Sequence, residues 1–415
     1  AAALYGSDAI GGVVNFITKD PRDYLLPGRS TFFSGRFGYS GADNSFTESV
    51  TGAATAGQFD AMAMYTRRDG NELQPNGNLS PNPQDYHSNS FLGRVVWNAT
   101  PSDTFRFTGQ VLQRSVDTDI RTEQGTTGTT TIQSSKGEDY TSVSRLQADY
   151  FRTTPILFVD SLEVRTYYTF LDRRERTYQN RYTGPSTAPY QQPPTTLRFT
   201  DTRQEQSIAG TDVQFHSAFD IGGIRQNLTY GFSVEWVDTS RPRDRYQVTL
   251  ATGAVNRTVA GETFPNKNFP DTTTWQTGVF LQDEFTIGRF TFLPAVRFDW
   301  YSLTANPDAA FLRSAQQGLA TQVQDINDFA VSPKFGITYQ IDPTYQVYGQ
   351  YSRGFRAPPY DTANFGFTNF AFGYTILPNG DLKSEYFNSF EIGARGRYDN
   401  GSSIQFAAFY NRYKD

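Results

Sequence analysis

The chain has 415 residues, a formal net charge of -5, two His and no Cys. This mildly acidic balance gives no electrostatic reason to expect nucleic acid as a partner, and the lack of Cys excludes disulfides, thiol nucleophiles and Cys-ligated metals within this sequence. Mean hydropathy is -0.55, and no stretch approaches the roughly 18 apolar residues of a transmembrane helix. That exclusion does not reach a transmembrane β-barrel, where only alternate residues meet lipid and the lumen is polar. The aromatic share is 15%, with 25 Tyr and 35 Phe, a bias suited to interfacial girdles rather than to a Leu-rich soluble core. A length that ordinarily implies two or three domains can be absorbed by one barrel.

In chain order, Gly11-Gly12 reads as a turn feeding a short strand from Val13 to Ile17, and Pro21 to Gly28 reads as a connecting segment. Alternating strands follow. Phe105, Phe107, Gly109 and Val111 oppose Arg106, Thr108 and Gln110. Leu228, Tyr230, Phe232, Val234 and Trp236 oppose Asn227, Thr229, Ser233 and Glu235. Tyr345, Val347, Gly349 and Tyr351 oppose Gln346, Gln350 and Ser352, and Ile404, Phe406, Ala408 and Tyr410 oppose Gln405 and Asn411. A sandwich strand alternates too, so the connections decide between the two. Short turns fall at 100–103, 220–223, 287–289, 342–344 and 399–402, and long polar loops near 70–88, 119–137, 178–198, 240–273, 303–327 and 356–383. Strict alternation of short and long connections is the pattern of an outer-membrane barrel, with periplasmic turns and extracellular loops. The expected fold is therefore all-β, an antiparallel transmembrane β-barrel with about fifteen strands between Arg29 and Asp415. The Thr/Gly-rich run 125–131 reads as a mobile low-complexity loop.

Two separated motifs sharpen this reading. Leu4-Tyr5-Gly6-Ser7-Asp8-Ala9-Ile10-Gly11-Gly12-Val13-Val14-Asn15-Phe16-Ile17-Thr18-Lys19 resembles the end of the plug domain of TonB-dependent outer-membrane receptors. Phe355-Arg356-Ala357-Pro358-Pro359-Tyr360 resembles the FRAP box of their haemoglobin/haem branch, and Leu377-Pro378-Asn379-Gly380-Asp381-Leu382-Lys383-Ser384-Glu385 resembles the box that opens the returning strand. Siderophore receptors share looser versions of both boxes. The resemblance implies that residues 1–20 end a plug, 21–28 are a linker and 29–415 are an incomplete barrel. With 22 strands in plugged transporters, about seven would lie beyond Asp415, and a signal peptide, a TonB box and most of the plug would precede Ala1. It further implies a bacterial outer-membrane location, coupling to the TonB complex of the inner membrane, and uptake of an extracellular iron-bearing ligand. Haem would be cargo, not a resident cofactor. A ferric siderophore receptor is the alternative within the class, and a structural or adhesive surface barrel the alternative outside it.

By the same resemblance, ligand contacts are expected from Phe355, Arg356, Ala357, Pro358, Tyr360, Tyr374, Asn379 and Leu382. The boxes also fit a purely structural role, bracing the loop against the barrel. Many haem receptors place a His between the boxes, whereas this chain has none there and carries Gly380 at a proline-type position. Iron ligation from this loop would fall to Tyr360 or Tyr374, since tyrosinate ligates haem iron, unless both tyrosines only pack the loop.

His87, expected in an extracellular loop, is a third candidate iron ligand or simply a solvated side chain. His216 shares a face with Gln214 and is expected in the lumen, against the plug. No catalytic constellation or phosphate-binding loop surrounds either, so an enzyme is not expected. Arg173, Arg174 and Arg176, with Arg181 nearby, and Arg241, Arg243 and Arg245 mark the outer ends of strands. They read as a charged rim, with lipopolysaccharide phosphates or ligand carboxylates as further partners for their guanidinium forks.

Overall fold

Alternation of apolar and polar residues at period two gives each strand one face for lipid and one for the lumen, and the ladder between strands satisfies the backbone. The computed structural model describes residues 17–77, 80–185, 187–314, 323–369, 373–379 and 381–414. The Gly-Gly turn and all but Ile17 of the expected plug strand lie outside them, as does Gly380. Fifteen long strands run antiparallel, each paired with the next in the chain. They are β1 (Thr31–Ser40), β2 (Ser45–Ala56), β3 (Phe59–Asn71), β4 (Gln84–Asn98), β5 (Asp103–Asp119), β6 (Thr130–Arg152), β7 (Ser161–Thr183) and β8 (Thr196–Ile221). Then come β9 (Ile224–Ser240), β10 (Asp271–Gln282), β11 (Phe290–Asn306), β12 (Ile326–Gln340), β13 (Tyr345–Arg356), β14 (Glu385–Arg397) and β15 (Ser403–Lys414). Among the described residues β1 pairs only with β2 and β15 only with β14, so these two strands bound the described sheet.

The expected turns and loops alternate as the barrel requires, with one exception: β1 and β2 are joined at the loop end by residues 41–44 alone. Asp43 pins that turn, accepting hydrogen bonds from Arg68 Nη2 at 2.6 Å and the Tyr86 hydroxyl at 2.7 Å. Two expected loops are shorter than their sequence suggests, because β6 and β7 run for 23 residues each and β8 for 26. A membrane-spanning strand needs only about 9–11 residues, so these three continue well beyond the bilayer on the loop side. The run 125–131 is correspondingly not a loop throughout: Gly125–Thr127 folds back on Thr130–Ile132 as a hairpin. Gly128, at φ 61°, supplies the left-handed turn, and the Thr126 and Thr131 hydroxyls hydrogen-bond across it at 2.8 Å. β-Branched threonines favour this extended pairing, which low complexity by itself conceals.

On the outer face, Phe59, Trp97, Phe105 and Tyr150 stack across four consecutive strands with centroid separations of 6.1, 5.2 and 4.9 Å. Phe215–Tyr230 and Phe285–Phe292, each at 5.3 Å, continue this band beside the short turns. It is the aromatic girdle expected at the periplasmic interface.

The inner face is polar and ion-paired. Asp149, whose side chain is fully buried, accepts from Arg106 Nε at 2.9 Å and Arg165 Nε at 3.0 Å. The Tyr167 hydroxyl donates to Glu235 at 2.6 Å, and Arg297 bridges Asp299 at 2.7 Å and the Ser233 hydroxyl at 2.8 Å. Small residues make room for these groups. A Cβ at Gly210 would lie 2.5 Å from the Tyr167 ring, and one at Gly278 would overlap the Arg297 guanidinium.

The segment entering the first strand lies against this inner wall. Arg94 donates to the Thr18 and Lys19 carbonyls at 3.1 and 2.9 Å and to Asp20 at 2.7 Å. Tyr24 and Leu25 cover the inward Ala53, Met62 and Leu92. His216 pairs across the ladder with Ser161 and Thr229 on the inner face, near the short turns.

The register of β9 is open to direct test. Val234 lies between outward Phe232 and Trp236, whereas Ser233 and Glu235 meet inner-wall partners. Val234→Arg should lower the stability of the refolded full-length barrel by about 2–4 kcal/mol if it lies near the midplane. Ser233→Ala, which gives up one hydrogen bond from Arg297 on the inner face, should cost only about 0.5–1.5 kcal/mol. Denaturant titration in lipid vesicles checks both, and the reverse ranking would place the register one residue off.

Candidate functional site

β13 ends at the loop-side rim, where Pro358 and Pro359 cannot extend the ladder. Phe355 and Ala357 turn inward and pack with Tyr301 and Leu303 of β11 and Ala330 of β12. Leu303 is 0% exposed and Phe355 2%, so this small core anchors the loop much as an interior core would. The Tyr301 hydroxyl donates to the Pro358 carbonyl at 3.3 Å. Glycine at 354 has a steric cause: a Cβ there would run into the Phe387 ring of β14.

Past the prolines, a short helix (α1, Tyr360–Ala363) leads to Asn364, which is 1% exposed. Its side chain makes reciprocal hydrogen bonds with the Gln324 backbone, accepting from N–H and donating to C=O at 3.0 Å each. The Asn379 N–H donates to the Ala363 carbonyl at 3.0 Å and so closes the base of the loop. Between these clamps, Phe367–Asn369 pairs with Tyr374–Ile376 as a hairpin. On the other flank, Phe269 meets Tyr360 edge-on at 5.4 Å and Phe365 at 6.3 Å, with the Arg241 guanidinium 5.7 Å above its ring. Gly366 N–H donates to the Asn268 carbonyl at 2.8 Å. Lys267, 5% exposed, bridges Asp271 at 2.7 Å and Asp308 at 2.8 Å, tying the 241–270 loop to the 307–325 loop.

The sequence-derived residues thus divide by position. Phe355, Ala357 and Pro358 are buried at the anchor. Arg356 is exposed, 4.0 Å from Glu385 of β14. Asn379 accepts from the Asp381 N–H at 3.1 Å, and Leu382 is half-buried. Tyr360 sits against the anchoring core, and burial, reinforced by the Asp361 charge and opposed by Arg241, raises its pKa above the ordinary phenol value. Tyr374 is 47% exposed on the hairpin. The two tyrosines therefore occupy different parts of the loop.

His87 is not in a loop. It lies within β4, paired with Ser115 and in line with Tyr140 and Arg174, on the outward face shared with Phe91 and Trp97. The strand simply starts earlier than the Pro-rich sequence before it suggests. His87 lines an external cleft with Asp117, Glu138 and Arg203, away from the lumen.

Strand alternation also separates the arginines that the sequence groups together. Arg174 and Arg176 point outward, where Arg174 meets Asp201 at 2.9 Å and Arg203 meets Asp172 at 2.9 Å, as in a charged rim. Arg173 points inward with Glu175, and Arg181 follows on the same inner face. Sequence reasoning missed Lys267, Phe269 and Asn364, because contacts between separate loops leave no periodic signal; a long loop holding both aromatic and amide residues was the only available cue.

A family model described as "TonB dependent receptor-like, beta-barrel" matches residues 92–415. The chain is 46% identical over 72 residues to the hemoglobin and hemoglobin-haptoglobin-binding protein of Haemophilus ducreyi, a match covering 17% of this chain and 7% of that relative. The hemophore receptor HasR of Serratia marcescens, solved with its hemophore and heme, superposes with a TM-score of 0.67 at 15% identity, over 95% of this chain and 56% of HasR. The ferripyoverdine receptor of the outer membrane of Pseudomonas aeruginosa superposes with a TM-score of 0.61 at 13% identity, over 92% of this chain and 48% of that receptor. The chain thus spans about half the length of these solved receptors, and it shares their outer-membrane barrel wall. Fifteen-strand wall, girdle and family match together place the chain in the TonB-dependent receptor-like β-barrel family.

Proposed function

We propose that this chain belongs to an outer-membrane receptor for TonB-dependent active uptake of haem or haemoglobin-type iron, with the loop from Phe355 to Lys383 taking part in ligand capture. The observation that carries the reading is the division within that loop. Its base is clamped by Phe355, Ala357, Asn364 and Asn379, while its hairpin presents Tyr374 to solvent at the mouth. A rigid base with an exposed aromatic tip is what a capture loop on a fixed scaffold requires. The short but specific likeness to a haemoglobin-binding relative supports the ligand class. Residues 18–20, held on the lumenal wall by Arg94, fit the exit of a plug through which the inner-membrane TonB complex acts. Haem is cargo in this reading, no resident cofactor is invoked, and the receptor is a transporter rather than an enzyme. Outer-membrane lipid and lipopolysaccharide are its surroundings and the natural contacts of the outward rim.

Uptake of a ferric siderophore is the second reading. It is favoured by two features: the loop carries no His, and burial of Tyr360 disfavours the phenolate that iron ligation needs. A siderophore brings its iron already saturated and makes no such demand.

Two measurements on the full-length receptor test these statements. Ligand uptake should be lost in cells lacking TonB, and equal uptake with and without TonB would mark a passive pore. In absorbance titrations with ferric haem, Tyr374→Phe should alter any tyrosinate spectrum that this loop provides, whereas Tyr360→Phe should leave it unchanged. Absence of haem and haemoglobin binding, with tight ferric-siderophore binding, would select the second reading.

A further inference from the structure

The loop-side extension of the wall holds a group of three arginines that lack carboxylate partners among the described residues. Gln179 of β7, Arg198 of β8 and Gln247 of the strand Arg243–Thr249 form one cross-strand row. Arg181 stands beside Thr196 two pairs above, and Arg245 beside Thr200 two pairs below. Alternation from the inward Tyr167 places all of these side chains on the inner face. The three arginines are half-buried. Their hydrogen bonds go to neutral groups: Arg181 to Gln179 at 3.2 Å, Arg198 to Gln247 at 3.1 Å and Arg245 to the Thr200 hydroxyl at 3.0 Å. Among the described residues none of the three forms an ion pair with a carboxylate, and the Arg198 Nε is buried without a hydrogen-bond partner. The nearest acidic groups are engaged elsewhere: Glu123 accepts from Ser135 and Gln179, and Glu262 pairs with Arg243 at 3.3 Å. On the outer face of the same strands, Arg174 and Arg203 each have a carboxylate.

Burial of like charges without counter-charge is unfavourable for the fold. Here burial, followed by the charges of Arg181 and Arg245, pulls the Arg198 pKa down to about 10. The group nevertheless remains cationic near neutral pH, so the strain is relieved when an anion arrives rather than by loss of a proton. Guanidinium forks on adjacent strands suit planar oxyanions, above all carboxylates. The Phe264 ring, 5.3 Å from the Arg245 guanidinium, gives the site an apolar flank.

We propose that Arg181, Arg198 and Arg245 form an inward-facing anion site that receives the carboxylates of the incoming iron ligand. The assignment of those carboxylates to cargo rests on the transport reading above, whereas the anion site itself does not. Two carboxylate sources share this chemistry, the propionates of haem and the carboxylates of a ferric chelate.

The first experiment needs no iron ligand. Thermal unfolding of the full-length receptor in detergent is followed with sodium citrate and with sodium chloride at matched ionic strength. Citrate should raise the melting temperature of the parent protein and not that of Arg198→Gln or of the double variant Arg181→Gln/Arg245→Gln. Both variants should fold and, without citrate, should be at least as stable as the parent, because they remove repulsion. Equal citrate stabilisation of parent and variants, or none in the parent, overturns the site. The second experiment identifies the source by titrating haem and haem dimethyl ester, whose propionates are neutral. For haem cargo, esterification and Arg198→Gln should each weaken binding about tenfold or more without adding to one another, as loss of a charge-assisted bidentate contact does. Haem and ester bound equally by parent and variant would exclude propionates from the site. If haem does not bind at all while citrate still stabilises the parent alone, the haem reading falls and the anion site stands with a ferric carboxylate chelate as its ligand.

Discussion

Lipid offers no hydrogen-bond partner to a peptide group, and the rest of this structure depends on that constraint. Every N–H and C=O crossing the bilayer must be satisfied by a neighbouring strand, so the chain is committed to a continuous antiparallel ladder in which each of the long strands pairs with its sequence neighbour. Period-two alternation then follows from the pleat: one face takes Phe, Trp, Val and Leu, and the other is free to carry charge. The wall is rigid because its backbone has no alternative arrangement within lipid. Function is accordingly left to what projects from the two faces and the loop-side rim.

The inner face uses this freedom in two distinct ways. Deep in the lumen, charges are neutralised locally, as where Asp149 lies between Arg106 and Arg165, or where Arg297 spans Asp299 and Ser233. Such buried networks hold geometry more than they add stability. Higher up, where β7 and β8 outrun the membrane, the inner face carries Arg181, Arg198 and Arg245, whose hydrogen bonds go to amides and a hydroxyl. On the same two strands Arg174 and Arg203 are paired with carboxylates outside, and Arg165 and Arg173 inside, whereas Arg181 and Arg198 form no ion pair among the described residues. This contrast argues against a general surplus of positive charge and for a directed one.

The loop end shows a related separation of roles. Phe355, Ala357, Tyr301 and Leu303 make a miniature core at the rim. Asn364 and Asn379 fix backbone at two further points, and the aromatic contact between Phe269 and Tyr360 couples two loops far apart in sequence. A motif resembling a ligand-contact box therefore serves first as the fixed base from which the exposed hairpin projects.

Much of this was legible in the sequence. Period-two alternation identifies the strands and their faces, and by itself sets Phe232 and Trp236 opposite Ser233 and Glu235. Turn residues located the short connections, because Gly, Pro, Asn and Asp act through local backbone preference. The sequence could not place His87, since a strand that begins in a polar, Pro-flanked stretch is stabilised by its neighbours rather than by its own residues. Nor did it separate Arg174 from Arg181, although both were visible as charges. A residue's face is a local property that parity carries along a strand, but its partners are set by register with strands and loops elsewhere in the chain. Local periodicity by itself determined the barrel wall, and only tertiary structure decided which charges are neutralised and which stand open to a ligand, because that depends on through-space distances absent from any single stretch of sequence.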